Sequence, residues 1–251
     1  MDGEFAGRVV FITGAARGLG QAAARIFASR GARLFLVDIR HDLLEATRAE
    51  LAAAGADCRV LATDIGHRAN CFQAIEAAMA AFGRLDVLCN VAAIVRFHHT
   101  TEAPAADWER ILAVNLSAPF FLSQAAIPHL LQTSGNIVNV TSQAGTIGAA
   151  YLAAYAASKG GLVQMTKAMA MEYLREPIRI NAVSPGTMRT GIGEGVERPD
   201  TLDADLMRRY GGIRPRSEPE DVAEMIAFVA SDRARGVHGA VLHADSGVTT
   251  G

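Results

Sequence analysis

The sequence predicts a single α/β domain: a doubly wound parallel sheet of about seven strands with helices on both faces. Three observations carry this expectation. Short apolar runs alternate with longer stretches of helical periodicity from one end of the chain to the other. The runs are apolar throughout rather than at every second position, as in strands covered on both faces. The 251 residues contain no linker, repeat or low-complexity segment, and that length suits one domain.

Strand character begins with RVVFIT at 8–13, and a glycine-rich turn leads from it into a helical stretch at 19–29. RLFLVD (33–38) leads to a helix at 42–54, CRVLAT (58–63) to one at 68–82, and LDVLCNV (85–91) to a long one at 105–132. NIVNVT (136–141) precedes a helix at 151–173. After IRINAV (178–183) the alternation lapses. Residues 187–216 are rich in charge and glycine (Gly191, Gly193, Gly195, Gly211, Gly212), with a weak helical pattern near 201–210. A loop of that length inside a compact domain usually serves function, and a lid over the site is expected there. A helix at 219–231 opens on Pro219 with Glu220 and Asp221 behind it, which suits the fixed φ of proline and the positive end of the helix. A strand at 240–244 closes the series.

Hydrophobic residues make up 50% of the chain, charged residues 20%, and the net charge is −2. That balance argues against a disordered tail, a fibre or a polybasic nucleic-acid binder. No uninterrupted apolar stretch approaches the ~18 residues of a membrane span, and Asp2 and Glu4 stand where a secretory signal would be basic. Cys58, Cys71 and Cys89 are too scattered for a disulfide framework or a zinc site, which points to the cytoplasm and to no bound metal. The 24 glycines and 47 alanines fit either coding bias or close packing of helices on a sheet.

TGAARGLG, residues 13–20, follows the first strand directly. Gly14, Gly18 and Gly20 allow a tight turn, close backbone approach to a pyrophosphate, and packing of the next helix on the strand. The N–H groups and positive end of that helix then face the phosphates. Asp38 ends the second strand, eighteen residues after Gly20. A carboxylate there accepts hydrogen bonds from the ribose hydroxyls of an adenosine and repels a 2′-phosphate. Arg17 and Arg40 pull the other way, since a guanidinium can hold that phosphate; the balance favours NAD over NADP. Asp64, beyond the third strand, is placed either for an adenine amino group or to cap the helix starting near His67.

Tyr155 and Lys159 (YAASK) are four apart in a helical segment and therefore share a face. A free phenol has a pKa of about 10 and is a poor base near neutrality. A neighbouring ammonium and an oxidised nicotinamide are expected to lower it. Ser142 stands at the end of the fifth strand, on the edge where open α/β sheets bind ligands. Asn115 falls mid-helix, where an amide is neither a good helix former nor core, so a hydrogen-bond network is expected to hold it.

Together these residues resemble the short-chain dehydrogenase/reductase family over essentially the whole chain. The resemblance rests on TGAARGLG, Asp64, residues 85–93, Asn115, Ser142, Tyr155 with Lys159, and Pro185-Gly186. It implies a Rossmann-type fold in which Tyr155 is the general acid/base, Ser142 orients the substrate oxygen, Lys159 binds the nicotinamide ribose, and Asn115 holds a relay water. It implies a cofactor surface of Gly14, Arg17, Gly18, Leu19, Gly20, Asp38, Ile39, Asp64, Ile65, Asn90, Ala92, Pro185, Gly186, Met188 and Thr190. Arg96, His98, Ala144 and Tyr151 are candidates for the substrate side, with His99 beside them. One departure stands out: where the family reads Asn-Asn-Ala-Gly, this chain reads Asn90-Val91-Ala92-Ala93. A small shift in cofactor fit is expected from it.

The expected activity is NAD-dependent interconversion of a secondary alcohol and a ketone. An NADPH-dependent carbonyl reductase is the nearest alternative. A nucleoside-cofactor methyltransferase would have no use for Tyr155, Lys159 and Ser142 together, and a non-catalytic NAD sensor no reason to carry all four catalytic positions. The partner is expected to be a small alcohol or ketone, with no nucleic acid or membrane. The resemblance implies a homotetramer or homodimer formed through the helices at 105–132 and 151–173.

Overall fold

The computed structural model describes residues 3–189, 192 and 196–250. Among these, β1 (Val9–Thr13), β2 (Arg33–Asp38), β3 (Cys58–Ala62), β4 (Val87–Asn90), β5 (Asn136–Val140), β6 (Arg179–Pro185) and β7 (Val241–Ala244) form one seven-stranded sheet. The order is β3-β2-β1-β4-β5-β6-β7, and every neighbouring pair is parallel. The helices are α1 (Gly18–Ser29), α2 (His41–Ala53), α3 (Arg68–Phe82), α4 (Ala105–Leu112), α5 (Ala118–Gln132), α6 (Ala153–Glu172), α7 (Ala204–Tyr210) and α8 (Pro219–Ala230).

The strands are largely apolar on both sides because each face carries its own core. Val10, Ile12, Leu34, Leu36, Val138 and Val140 join α1, α2 and α8 in one cluster. Val9, Phe11, Phe35, Val37, Ile137 and Ile180 join α3, α5 and α6 in the other. Successive side chains of a strand point to opposite faces, so five apolar residues in a row supply both layers. Many of the alanines lie in these layers, Ala22, Ala23, Ala24, Ala74, Ala78, Ala126, Ala223 and Ala227 among them.

Two details differ from the expectation. The stretch 105–132 is interrupted by a π-turn at Ala113–Ser117, centred on Asn115. That stretch is long and apolar enough by composition to cross a membrane, yet half of its most apolar window is buried in the protein, where α5 packs against the sheet and α3. The helix expected from 151 begins at Ala153, because Tyr151 has a φ of 67°, a left-handed conformation uncommon for a bulky side chain. Phe5, ahead of β1, is fully buried and meets Phe27 edge-on at 4.8 Å. The start of α8 is as expected, with Pro219 in the first turn and Asp221 accepting from the Glu218 N–H at 3.0 Å.

Candidate active site

The strand order reverses between β1 and β4, which opens a crevice at their carboxyl ends. The glycine-rich turn lies there. Gly14 has a φ of 69°, and a Cβ on it would stand 2.8 Å from the Ala92 Cα. A Cβ on Gly20 would stand 2.1 Å from the Gly14 carbonyl oxygen, so α1 starts where only a bare backbone fits. Arg17 occupies the N-cap of α1 in extended conformation and caps nothing with its side chain. The free N–H groups of that helix end, with Gly18, Leu19 and Gly20 in its first turn, form an anion-binding edge.

Asp38 closes β2 and is buried. One carboxylate oxygen accepts from the Ala16 N–H at 3.1 Å, the other from the Arg40 N–H at 3.0 Å, and Arg40 Nε stands 3.5 Å away. Asp38 thus ties the glycine-rich turn to β2 and leaves each oxygen a lone pair. Ile39 beside it is 59% exposed, an apolar surface at the cleft's rim. Asp64 accepts from Arg110 Nη2 at 2.8 Å and from the Gly66 N–H at 2.9 Å. Burial works to raise its pKa, but these two donors outweigh it and hold the carboxyl below its ordinary range. The helix N-cap is His67, which makes no side-chain cap, so Asp64 closes the turn ahead of α3 and pairs with Arg110. Ile65 is buried in the adjacent core.

At the end of β1, the Thr13 hydroxyl accepts from both the Val91 and Ala92 N–H groups at 3.0 Å. Val91 faces the apolar cluster under α1 and α8, which explains why a valine is tolerated where the family has asparagine. Asn90 donates to Asn139 at 2.9 Å, and Asn139 donates to Thr166 at 2.9 Å, a buried amide ladder across β4, β5 and α6. Asn90 Oδ1 and Thr187 Oγ1 are buried without a hydrogen-bond partner among the described residues, and so are open to a further polar group. Asn115 is completely buried, and its amide accepts from the Ile94 N–H and donates to the Ile94 carbonyl, both at 2.9 Å. It also donates to Ser158 Oγ at 3.2 Å. The side chain therefore acts as a surrogate strand for residues after β4. The π-turn falls on this residue, between α4 and α5.

Ser142 follows β5, and its hydroxyl accepts from the Ala144 N–H at 3.2 Å. Tyr155 and Lys159 are both buried on α6, which packs against the short turn Gln143–Gly145. A Cβ on Gly145 would stand 2.8 Å from the Lys159 carbonyl, so this glycine lets α6 approach the serine loop. Lys159 is 1% exposed and donates to the Val140 carbonyl at 2.7 Å. Burial pushes its pKa down to about 7. Its Nζ lies 5.9 Å from the centre of the Tyr155 ring. Burial raises the Tyr155 pKa well above a free phenol's, Tyr210 raises it further, and the Ser142 hydroxyl acts in the opposite direction. In the protein itself, loss of solvent is the largest influence on this phenol.

Residues 196–210 cover this cluster. Val196, Leu202, Met207 and Tyr210 pack on Val95, Phe97, Ala144, Leu152 and Tyr155. Tyr151 accepts the Asp203 N–H on its hydroxyl at 3.0 Å, so it fastens the start of α7. His98 pairs with Asp107 at 2.7 Å, and His99 meets Thr201 at 2.9 Å. Arg96 is exposed and donates to the Val95 carbonyl at 2.9 Å. Pro185 ends β6; a Cβ on Gly186 would stand 2.7 Å from the Asp245 Cα, and Met188 bridges to Ser217. Thr190 lies outside the described residues. Tyr210 and Gln143 join the site without a signal in the sequence.

Comparison with known proteins shows what the chain is similar to. A family model described as enoyl-(acyl carrier protein) reductase matches residues 14–249. The chain is 37% identical to 2-(S)-hydroxypropyl-CoM dehydrogenase 3 of Xanthobacter autotrophicus, over 99% of both chains. It is 35% identical to D-threitol dehydrogenase of Mycolicibacterium smegmatis, over 99% of this chain and 95% of that one. It is 35% identical to meso-2,3-butanediol dehydrogenase of Serratia marcescens, over 98% and 96%. A crystal structure of a dehydrogenase/reductase from Sinorhizobium meliloti 1021 superposes with a TM-score of 0.87 at 30% identity, covering 98% of this chain and 96% of that one.

Proposed function

The chain belongs to the short-chain dehydrogenase/reductase family and is an oxidoreductase acting on CH–OH groups; from that premise we propose that it interconverts a secondary alcohol and a ketone with NAD. The carrying observation is Tyr155 and Lys159 side by side on α6, buried against Ser142 at the carboxyl edge of the sheet. The relatives' names, D-threitol and meso-2,3-butanediol dehydrogenase, point to small polyols as the place to look for substrate.

Nicotinamide, when bound, accepts hydride from the alcohol carbon or returns it to the carbonyl. The protein's part is proton transfer and placement. Ser142 donates to the substrate oxygen, and Tyr155 takes the hydroxyl proton in oxidation and gives it back in reduction. Lys159 has two N–H donors left after Val140, enough for the ribose hydroxyls. Its charge, together with that of the oxidised ring, opposes the burial that raises the Tyr155 pKa. The Asn115 backbone supports a water relay from Lys159 outward. Gly14, Gly18 and Gly20 would take the pyrophosphate, Asp64 and Ile65 the adenine side, Asn90 and Ala92 the central ribose, and Met188 and Thr190 the carboxamide. Residues 187–216 act as the lid, and Tyr151 serves as its latch. We place the chain in the cytoplasm, where its three buried cysteines stay reduced. Trp108, Phe120, Met171 and Leu174 are exposed on the α4–α5 and α6 faces, which favours a homodimer or homotetramer built there.

Asp38 supports NAD over NADP because it already neutralises Arg40 at 3.5 Å and would face a 2′-phosphate with like charge. Asp38→Ala releases Arg40 for that phosphate. The NAD:NADP ratio of kcat/KM is expected to fall at least ~10-fold, in keeping with the loss of one charged contact. A ratio that does not move would place the reading of the 2′-position elsewhere. The reaction itself is tested by following nicotinamide absorbance with NAD and NADP against a panel of alcohols, polyols, hydroxy acids and steroids. Turnover of a secondary alcohol is expected; silence across the panel with both dinucleotides would sink the proposal.

A further inference from the structure

We propose that Tyr210 determines substrate specificity, and that the preferred substrate carries a second oxygen on the carbon next to the reacting one: a vicinal diol, or the matching α-hydroxy ketone in reverse. The inference rests on the roles given to Ser142 and Tyr155 above and names the substrate class of the same site.

Tyr210 ends α7, and its side chain reaches into the catalytic cluster, with its hydroxyl 3.3 Å from Ser142 Oγ. Its backbone is held as well. The Tyr210 carbonyl accepts from Gln143 Nε2 at 2.6 Å, and Gln143, next to Ser142 in the chain, is completely buried. Tyr210 is therefore fixed at both ends to the loop that carries the serine. A ring held this way is a wall of the pocket rather than a swinging plug. Tyr210 also packs in one cluster with Tyr155, so it borders the catalytic phenol as well as the serine.

The surroundings make this third hydroxyl chemically conspicuous. Val95, Phe97, Ala144, Leu152 and Met207 pack in the cluster around Tyr155 and offer no hydrogen bond from their side chains. A substrate oxygen seated between Ser142 and Tyr155 takes up hydrogen-bonding capacity of the serine and so competes with its contact to Tyr210. With a single-oxygen substrate, the phenol then loses its serine contact and keeps only the Gln143 side chain, a costly state for a largely desolvated hydroxyl. Two oxygens on neighbouring carbons lie about one hydrogen-bond length apart. That matches the 3.3 Å between the Ser142 and Tyr210 hydroxyls, so a vicinal diol meets both at once. Sites built to bond a substrate hydroxyl reject analogues lacking it far more strongly than sites that sense only size.

The test compares wild type with Tyr210→Phe on butane-2,3-diol and butan-2-ol, which share a four-carbon chain, with NAD as acceptor. Phenylalanine keeps the ring and its packing and removes only the hydroxyl. Wild type is expected to favour the diol by ~100-fold in kcat/KM, and the variant to lose most of that preference, at least ~10-fold. Calorimetric binding of the diol to the NAD-loaded Tyr155→Phe protein, with and without Tyr210→Phe, gives a second reading that needs no turnover. The added substitution is expected to weaken diol binding at least ~10-fold while changing that of butan-2-ol by less. A diol preference that survives Tyr210→Phe, or diol binding indifferent to it, overturns the proposal. If wild type oxidises neither alcohol but Tyr210→Phe still weakens diol binding selectively, the proposed reaction falls and the contact stands.

Discussion

Tyr155→Phe is expected to lower kcat by ~10³-fold or more, the usual scale for removing a positioned general acid/base, and to leave NADH binding measurable by fluorescence. The substitution removes one oxygen from a ring that is packed among Val95, Phe97, Ala144 and Leu152, so the fold has no reason to move. The proton on the alcohol would then have no acceptor at the right place. Ser142 is a poor base on its own and is already accepting from Ala144. The phenol's burial also fixes the direction of the pH profile. Because desolvation raises its pKa, alcohol oxidation should increase with pH through the neutral and alkaline range, as the phenolate becomes accessible. A rate that falls over that range, or substantial turnover by the phenylalanine variant, would remove Tyr155 from its role.

Lys159→Met is expected to abolish useful turnover and at the same time stabilise the protein at neutral pH. The ammonium is almost wholly buried, it donates to the Val140 carbonyl, and its pKa is pushed down to about 7 from an ordinary 10.5. Between those values the unfolded chain holds a proton that the folded chain has released, so wild-type stability climbs as pH rises from 7 toward 10. At pH 7 the lysine therefore costs the fold on the order of a few kcal/mol, partly offset by the bond to Val140, whose loss costs ~1–3 kcal/mol. A methionine of similar length removes the charge and keeps most of the packing. A net gain of ~2 kcal/mol corresponds to a rise in Tm of roughly 4–8 °C for a chain of this size. The gain should shrink as pH approaches 10, where the wild-type lysine is no longer penalised. Calorimetric Tm values for both proteins across that pH range check this, and a variant less stable at pH 7 would show that the lysine is structural. Such a residue is kept for chemistry at the expense of stability.

The parts of the site legible in the sequence are those set by local spacing. The glycine turn must follow a strand and open a helix, Asp38 must end the next strand, and Tyr155 and Lys159 share a face because they are four apart. Each of these depends on its own few neighbours. The all-apolar strands likewise revealed a sheet covered twice, and the two cores confirm it. What escaped depends on contacts between distant segments. The π-turn at Asn115 leaves the apolar pattern of 105–132 intact, so nothing in the periodicity marks it. Tyr151 reads as helical, yet its left-handed backbone is imposed by the approach of α7 and the strand-edge loop at His98. Tyr210 is a lone aromatic at the end of a weak helix, and Gln143 is an unremarked neighbour of Ser142. Only their meeting across 67 residues gives them meaning. The raised phenol pKa likewise follows from burial, which no local spacing reveals.

The most direct measurement is the near-ultraviolet absorbance of nicotinamide when the protein is mixed with a secondary alcohol or polyol and each dinucleotide in turn. Wild type should raise that absorbance with NAD, more slowly with NADP, and Tyr155→Phe should leave it flat while still binding NADH. No rise with either dinucleotide across the panel, or an equal rise in Tyr155→Phe, would contradict the assignment of this site.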